Sequence, residues 1–166
     1  MKVIAKQANG KECYVCGTEN PFGLHANFYN MEDGSCVALF QFNYNHQSYP
    51  ERTHGGNISA ILDETIGRAV WCIDKNIWAC TIKLEIKYKK PVPYETPLMC
   101  VAKIENISNI TFKGWGEIRN MNGEVLARGD ALYMRMSPQQ ISPNHSDFTI
   151  MMNEPLPTDI EEIDIK

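Results

Sequence analysis

His54, Gly55 and Gly56 stand directly before a run of helical periodicity, and Asp63 follows nine residues after the histidine with Glu64 beside it. Glycines at a helix start let the backbone bend and leave peptide N–H groups unpaired at the positive end of the helix dipole, a place to hold an oxyanion. A carboxylate near such donors supplies the other half of acyl-transfer chemistry, a nucleophile or base for the carbonyl carbon. The helical period of about 100° per residue separates the two acids. With the apolar stripe centred near Leu62 and Thr65, Glu64 points to the opposite, solvated side. Asp63 lies on the flank with Ser59, Gly67 and Val70, and should lean back toward the glycine turn. The plainer reading is a turn followed by a surface acid that stabilises the helix dipole.

Positioning these groups requires the elements on either side. Ile58, Ile61, Leu62, Thr65, Ile66, Ala69 and Ile73 share one helical face, the strong helix of the sequence. Before it, Leu24 to Met31 and Ser35 to Asn43 read as strands joined at Asp33-Gly34, while residues up to about Pro21 read as irregular. After it, the period becomes two. Trp78, Cys80, Ile82, Leu84, Ile86 and Tyr88 fall on one side of a strand, and Thr81, Lys83, Glu85 and Lys87 on the other. Leu98 to Ile107, Ile110 to Asn120 and Val125 to Met136 read as three more strands, the last two joined by Asn122-Gly123, a pair suited to a turn with two positive φ angles. The fold class is therefore α+β: an antiparallel sheet of about six strands with one long helix packed on it. Three segments follow: residues 1–23 with a Cys-x-x-Cys, a domain over 24–136, and a polar, acidic tail over 137–166 expected to be mostly flexible.

With 43% apolar and 22% charged residues in 166, one globular domain with its own core is expected. A net charge of −4 argues against a nucleic-acid partner, whose affinity rests on clustered Lys and Arg. No apolar run approaches the roughly 20 residues of a membrane span, and the first residues lack the pattern of a signal peptide. A soluble, cytoplasmic protein without a membrane partner is expected, its six cysteines reduced.

The segments Cys13 to Leu24, His46 to Pro50, His54 to Gly56, Asp63 to Gly67 and Tyr88 to Val92, in this strand and helix order, resemble the hotdog-fold acyl-CoA thioesterases of the phenylacetyl-CoA type. The resemblance runs from about Cys13 to Met136. It implies a sheet wrapped around the helix and hydrolysis of a small or medium acyl-CoA, with Asp63 as nucleophile or general base and the Gly55 N–H as oxyanion donor. His54, Gly56 and Asn57 flank that turn. It further implies that Thr81 positions the attacking water, contributed in some relatives by the other subunit. Sites in this family form between protomers, so a homodimer, and in further association a homotetramer, is implied, with no cofactor. Arg52-Thr53 departs from the small or aliphatic residues usual before the histidine. Alternatives are a non-catalytic protein of the same fold that binds an acyl-CoA, and an enoyl-CoA hydratase-like enzyme, which would need a histidine and an acid together over the substrate.

Lys89 and Lys90 are the basic residues placed to meet coenzyme A phosphates. Cys13 and Cys16 form half of a zinc motif that His25 or Cys36 would have to complete; without a second pair, no metal is expected and the thiols are read as packing groups. His25, His46 and His145 have no spaced partner, His46 serving to buttress the loop before the site. Trp71, Trp78 and Trp115 either line an acyl pocket or fill the core, the second being the plainer reading.

Overall fold

The computed structural model describes residues 1–144, 157, 158 and 160–166; His145 and the middle of the 137–166 tail lie outside them. Seven strands form one antiparallel sheet: β1 (Val3–Lys6), β2 (Asn27–Met31), β3 (Cys36–Phe40), β4 (Ala79–Tyr88), β5 (Leu98–Ile107), β6 (Thr111–Asn120) and β7 (Val125–Arg135). Their spatial order is β1-β2-β3-β5-β6-β7-β4, so β1 and β4 are the edges. Helix α1 (Gly55–Ala69) lies across one face, and α2 (Pro138–Ile141) is a single turn after β7.

The expected α1 stripe is the buried one: Ile58, Ile61, Leu62, Thr65, Ile66 and Ala69 face the sheet. They meet Phe28, Phe40, Ala102, Phe112, Ile118 and Ala131 in the main core. Small residues on β6 and β7 let the helix sit close. A Cβ at Gly114 would lie 2.6 Å from the Lys103 carbonyl oxygen and 3.1 Å from Ile66 Cγ2, and neither a strand backbone nor a fully buried Ile can step aside. Gly114→Ala is accordingly expected to cost about 1–3 kcal/mol of stability through overpacking, measured by chemical denaturation.

Three expectations need correction. The first residues are not irregular throughout, because Val3–Lys6 extends the sheet beyond β2 and makes it seven-stranded. Alternation across only four residues is too short to separate from coil in sequence. At the β6–β7 turn only Gly123 takes a positive φ, of 87°. The Asn120 side chain instead accepts the Asn122 and Glu124 N–H groups, which holds the turn without a second left-handed residue. The last residues of the tail are also ordered. Lys2 pairs with Glu162, Met1 O accepts the Ile163 N–H, and Ile160, Ile163 and Ile165 cover Val3, Tyr29, Met31, Val37, Met99 and Val101 on the sheet face opposite α1. That apolar outer surface is what holds an otherwise acidic segment.

Candidate active site

Helix α1 begins as its sequence dictates. His54 is the N-cap, its backbone extended and its Nδ1 accepting the Gly56 N–H at 2.9 Å. A ring nitrogen that accepts cannot carry the proton, so Nε2 bears the hydrogen of the neutral imidazole. Gly56 is thereby occupied and offers no free N–H to a substrate. The Gly55 N–H has no acceptor among the described residues. The peptide that carries this N–H is fixed through His54 O, which accepts the Asn57 N–H at 3.0 Å, and the next peptide through Gly55 O, which accepts from Ser59 Oγ at 2.9 Å and from the Tyr88 hydroxyl at 3.2 Å. Asn57 is structural in one chain: its Nδ2 donates to His46 O at 3.1 Å, and its Oδ1 accepts from the Tyr14 hydroxyl. His46 buttresses this loop, buried, with Nδ1 accepting the Asn43 N–H at 3.0 Å.

Two turns along α1, Asp63 does not reach back to the glycines. Its Oδ1 accepts from Thr81 Oγ1 at 2.8 Å and from the Tyr133 hydroxyl at 3.2 Å, and Tyr133 also donates to the Asp63 carbonyl at 2.7 Å. Burial pushes the Asp63 carboxyl above the usual carboxylate range; the two hydroxyl donors oppose the shift, and nearby Glu64 adds to it. Tyr133, raised in turn by burial and by Asp63, remains a neutral donor. The carboxylate is thus held through one oxygen, and its raised pKa makes it a stronger proton acceptor than an exposed carboxylate.

Thr81 reaches Asp63 because β4 carries a bulge. The register against β7 slips between Thr81 and Lys83, so Ile82 is the extra residue. On the Tyr88 side of the slip, Leu84 and Ile86 face α1; on the other side, Ala79 and Thr81 do, while Cys80 and Ile82 point outward and are exposed. The strict alternation expected for this strand is therefore broken, and Thr81 shares the inner face with residues it was expected to oppose. Within one chain, Thr81 Oγ1 is thus the hydroxyl that holds Asp63 Oδ1. Tyr133 is absent from the sequence reading. Its only signal there is an aromatic ending a run of small inward residues, Ala127, Gly129 and Ala131, on β7.

A cavity of ≈ 230 Å³ opens beside Asp63, lined by Trp71, Trp78, Ile77 and Phe112 on the apolar side and by Thr81, Glu64 and Arg68 on the polar side. Trp71 and Trp78 meet edge to face at 5.0 Å between centroids and wall this space, Trp71 with its other side packed against the core. Trp115 lies elsewhere, under the Arg128 guanidinium. A second cleft, of ≈ 330 Å³, adjoins the helix start and is bordered by Ser48, Arg52, Gly55, Tyr88, Lys89 and Lys90. Lys90 is ion-paired with Glu124. Thr53 is buried, its hydroxyl on Pro93 O at 3.2 Å, which leaves Arg52 at the cleft.

Glu64 is not the freely solvated acid expected. Its Oε1 accepts from Arg68 Nε at 2.7 Å, and that guanidinium is buried against Phe28 and Trp71. A buried cation one helical turn away draws the acid inward.

Residues 52–127 match the thioesterase superfamily. Over 117 residues the chain is 29% identical to acyl-coenzyme A thioesterase THEM4 of Mus musculus, covering 70% of this chain and 50% of that protein. The chain thus spans about half the length of the relatives it matches. Among solved structures it is similar to protein RHA08564, a thioesterase superfamily protein, with a TM-score of 0.67 and 25% identity over 73% of this chain and 62% of that one. It is also similar to the E. coli PaaI protein from the phenylacetic acid degradation operon, with a TM-score of 0.61 and 18% identity over 68% of this chain and 80% of that one. The match over residues 52–127 and the likeness to these structures give the seven-stranded sheet packed on α1 the hotdog-like fold of thioesterase superfamily proteins.

Proposed function

We propose that the protein hydrolyses a small or medium acyl-CoA thioester, with Asp63 as nucleophile or general base and the Gly55 N–H receiving the charge that develops on the thioester oxygen. The observation that carries this reading is the Asp63 carboxylate, tethered through Oδ1 by Thr81 and Tyr133 beside an apolar cavity. The cavity accepts the acyl group. Arg52 and Lys89, with Lys90, border the cleft suited to the phosphates of coenzyme A. The relative named an acyl-coenzyme A thioesterase supports this choice of carrier.

One chain supplies only half of each site. Gly55 and Asp63 are eight residues apart on one helix, about 12 Å along its axis, whereas reacting groups must come within about 3–3.5 Å of their targets. Strand β4 is an unpaired edge ten residues long, with Ile82 and Tyr88 half exposed on it. Its Thr81 end touches Asp63 and its Tyr88 end touches Gly55. Two copies pairing antiparallel along this edge about a two-fold axis bring the Gly55 of one chain to the Asp63 of the other, completing two sites and covering the edge.

The test is release of free CoA thiol from short, aromatic and long acyl-CoAs. Turnover of at least one class supports the reading, and binding without thiol release overturns it. Thr81→Ala should reduce the rate roughly tenfold, the equivalent of about 1.4 kcal/mol for one hydrogen bond to a charged group. Because that bond lowers the Asp63 pKa, its loss should also move the acid limb of the pH–rate profile to higher pH.

A further inference from the structure

The loop before β2 brings three metal-ligating side chains together at the far side of α1 from the glycine turn. Cys13 Sγ, Cys16 Sγ and a Glu64 carboxylate oxygen all lie within 4.8 Å of one another. We propose that Cys13, Cys16 and Glu64 bind a zinc ion that fastens this loop to helix α1 next to Asp63.

The loop is shaped to present two sulfurs. Cys13 Sγ accepts the N–H groups of Val15 at 3.4 Å and Cys16 at 3.5 Å, and Cys16 Sγ accepts the Gly10 N–H at 3.1 Å. Peptide donors aimed at sulfur stabilise thiolates, the form in which cysteine ligates a metal. The Gly17 N–H closes the turn onto Cys13 O at 2.8 Å, and a Cβ at Gly17 would fall 2.2 Å from that same oxygen, so only glycine fits. Further bonds from Leu24 to Tyr14 O and from Ala26 to Val15 O hold the turn to the main core.

Arg68 sets the charge balance. Its Nη2 donates to Cys16 Sγ at 3.0 Å and its Nε to Glu64 Oε1 at 2.7 Å, while Nη1 is tied to Ala8 O at 2.9 Å. Two thiolates and one carboxylate carry three negative charges, which one divalent ion and one guanidinium cancel. In this arrangement Arg68 is an outer-sphere partner that orients two of the ligands, and Glu64 Oε2, which accepts no hydrogen bond among the described residues, faces the ion. Sulfur donors select a soft or borderline metal over calcium or magnesium, and zinc accepts two sulfurs and one oxygen tetrahedrally. Cys13, Cys16 and Glu64 all border the ≈ 230 Å³ cavity, so a water there can take the fourth position.

The experiment uses the full chain, reduced and metal-free, titrated with Zn²⁺ against a chromophoric chelator and, separately, with Co²⁺. The expected result is one equivalent of Zn²⁺ per chain, together with a Co²⁺ spectrum showing thiolate charge-transfer bands and the intense visible bands of a tetrahedral ion. Cys13→Ser and Cys16→Ser should each weaken binding by more than the roughly 10–100-fold that loss of an outer-sphere partner costs. Cys80→Ser, altering an exposed cysteine away from the site, should change nothing. The proposal is overturned if the reduced wild-type chain binds no Zn²⁺, if bound Co²⁺ lacks charge-transfer bands, or if Cys80→Ser is as damaging as the other two. These readouts do not involve thioester turnover, so failure here leaves the thioesterase reading standing.

Discussion

Asp63→Asn is expected to lower thioester turnover by at least 10²–10³, the loss seen when one preorganised transition-state contact is removed, and by more if the carboxylate is the nucleophile. The substitution is nearly isosteric. An amide oxygen can still accept from Thr81 and Tyr133, so the cavity and the contact between α1 and β7 should persist. Only the charge and the basicity go. Stability should move the other way. The folded-state pKa of Asp63 is raised by burial, so the folded chain holds this proton more tightly than the unfolded chain does. The stability tied to that proton is complete below the unfolded value and lost as pH rises through the folded one. At neutral pH the wild type carries the full burden of a desolvated charge, and Asn does not. Asp63→Asn should therefore melt higher than wild type at pH 7, with the gain vanishing as pH falls toward 3.8, the ordinary Asp value. A variant as active as wild type would end the assignment. One that is inactive but also melts well below wild type would show a structural acid instead.

Gly55→Pro is the second large effect, and it separates the oxyanion donor from the fold. Gly55 is the first residue of α1, where proline is well tolerated, and His54 already has the extended backbone that a following proline requires, with φ −63° and ψ 136°. A Cβ at this position meets nothing closer than the Tyr88 hydroxyl at 3.4 Å. The substitution removes little but the N–H. A rate loss of about 10²–10³ is expected, with melting close to wild type. The two inactive variants should then rescue each other. If each site takes Asp63 from one chain and Gly55 from the other, a mixed dimer of Asp63→Asn and Gly55→Pro contains one doubly defective site and one with both residues intact. After unfolding and refolding in equal amounts, half the dimers are mixed, and about one quarter of wild-type activity should return. No recovery, with mixed dimers confirmed by mass, would mean that both residues serve one substrate from the same chain.

What the sequence conveys well here is whatever depends on local period and turn chemistry. The α1 stripe, the glycine turn and the strands after the helix come from spacing alone, and the distinction between Asp63 and its neighbour on the helical wheel survives as a difference in partners. What it hides is set by contacts across the fold. A single extra residue, Ile82, reverses the inward and outward faces of β4 midway, and nothing in a hydrophobic pattern marks where a strand is bulged. Tyr133 lies 70 residues from Asp63, so only the packing of α1 on β7 brings their hydroxyl and carboxylate together. Glu64 is polar on the wheel, yet Arg68 and the Cys13–Cys16 loop cover that side of α1. The wheel describes one helix. It cannot report what a preceding loop lays over it.

The terminal strap of residues 160–166 sets a limit on higher assembly. Ile163 and its neighbours already occupy the apolar patch built by Tyr29, Met31, Val37, Met99 and Val101, and Arg119 grips the Lys166 carbonyl at 2.7 Å. Two dimers stacking sheet against sheet at that patch would first have to peel these residues away and expose what they cover. On that side the chain already carries its own stopper.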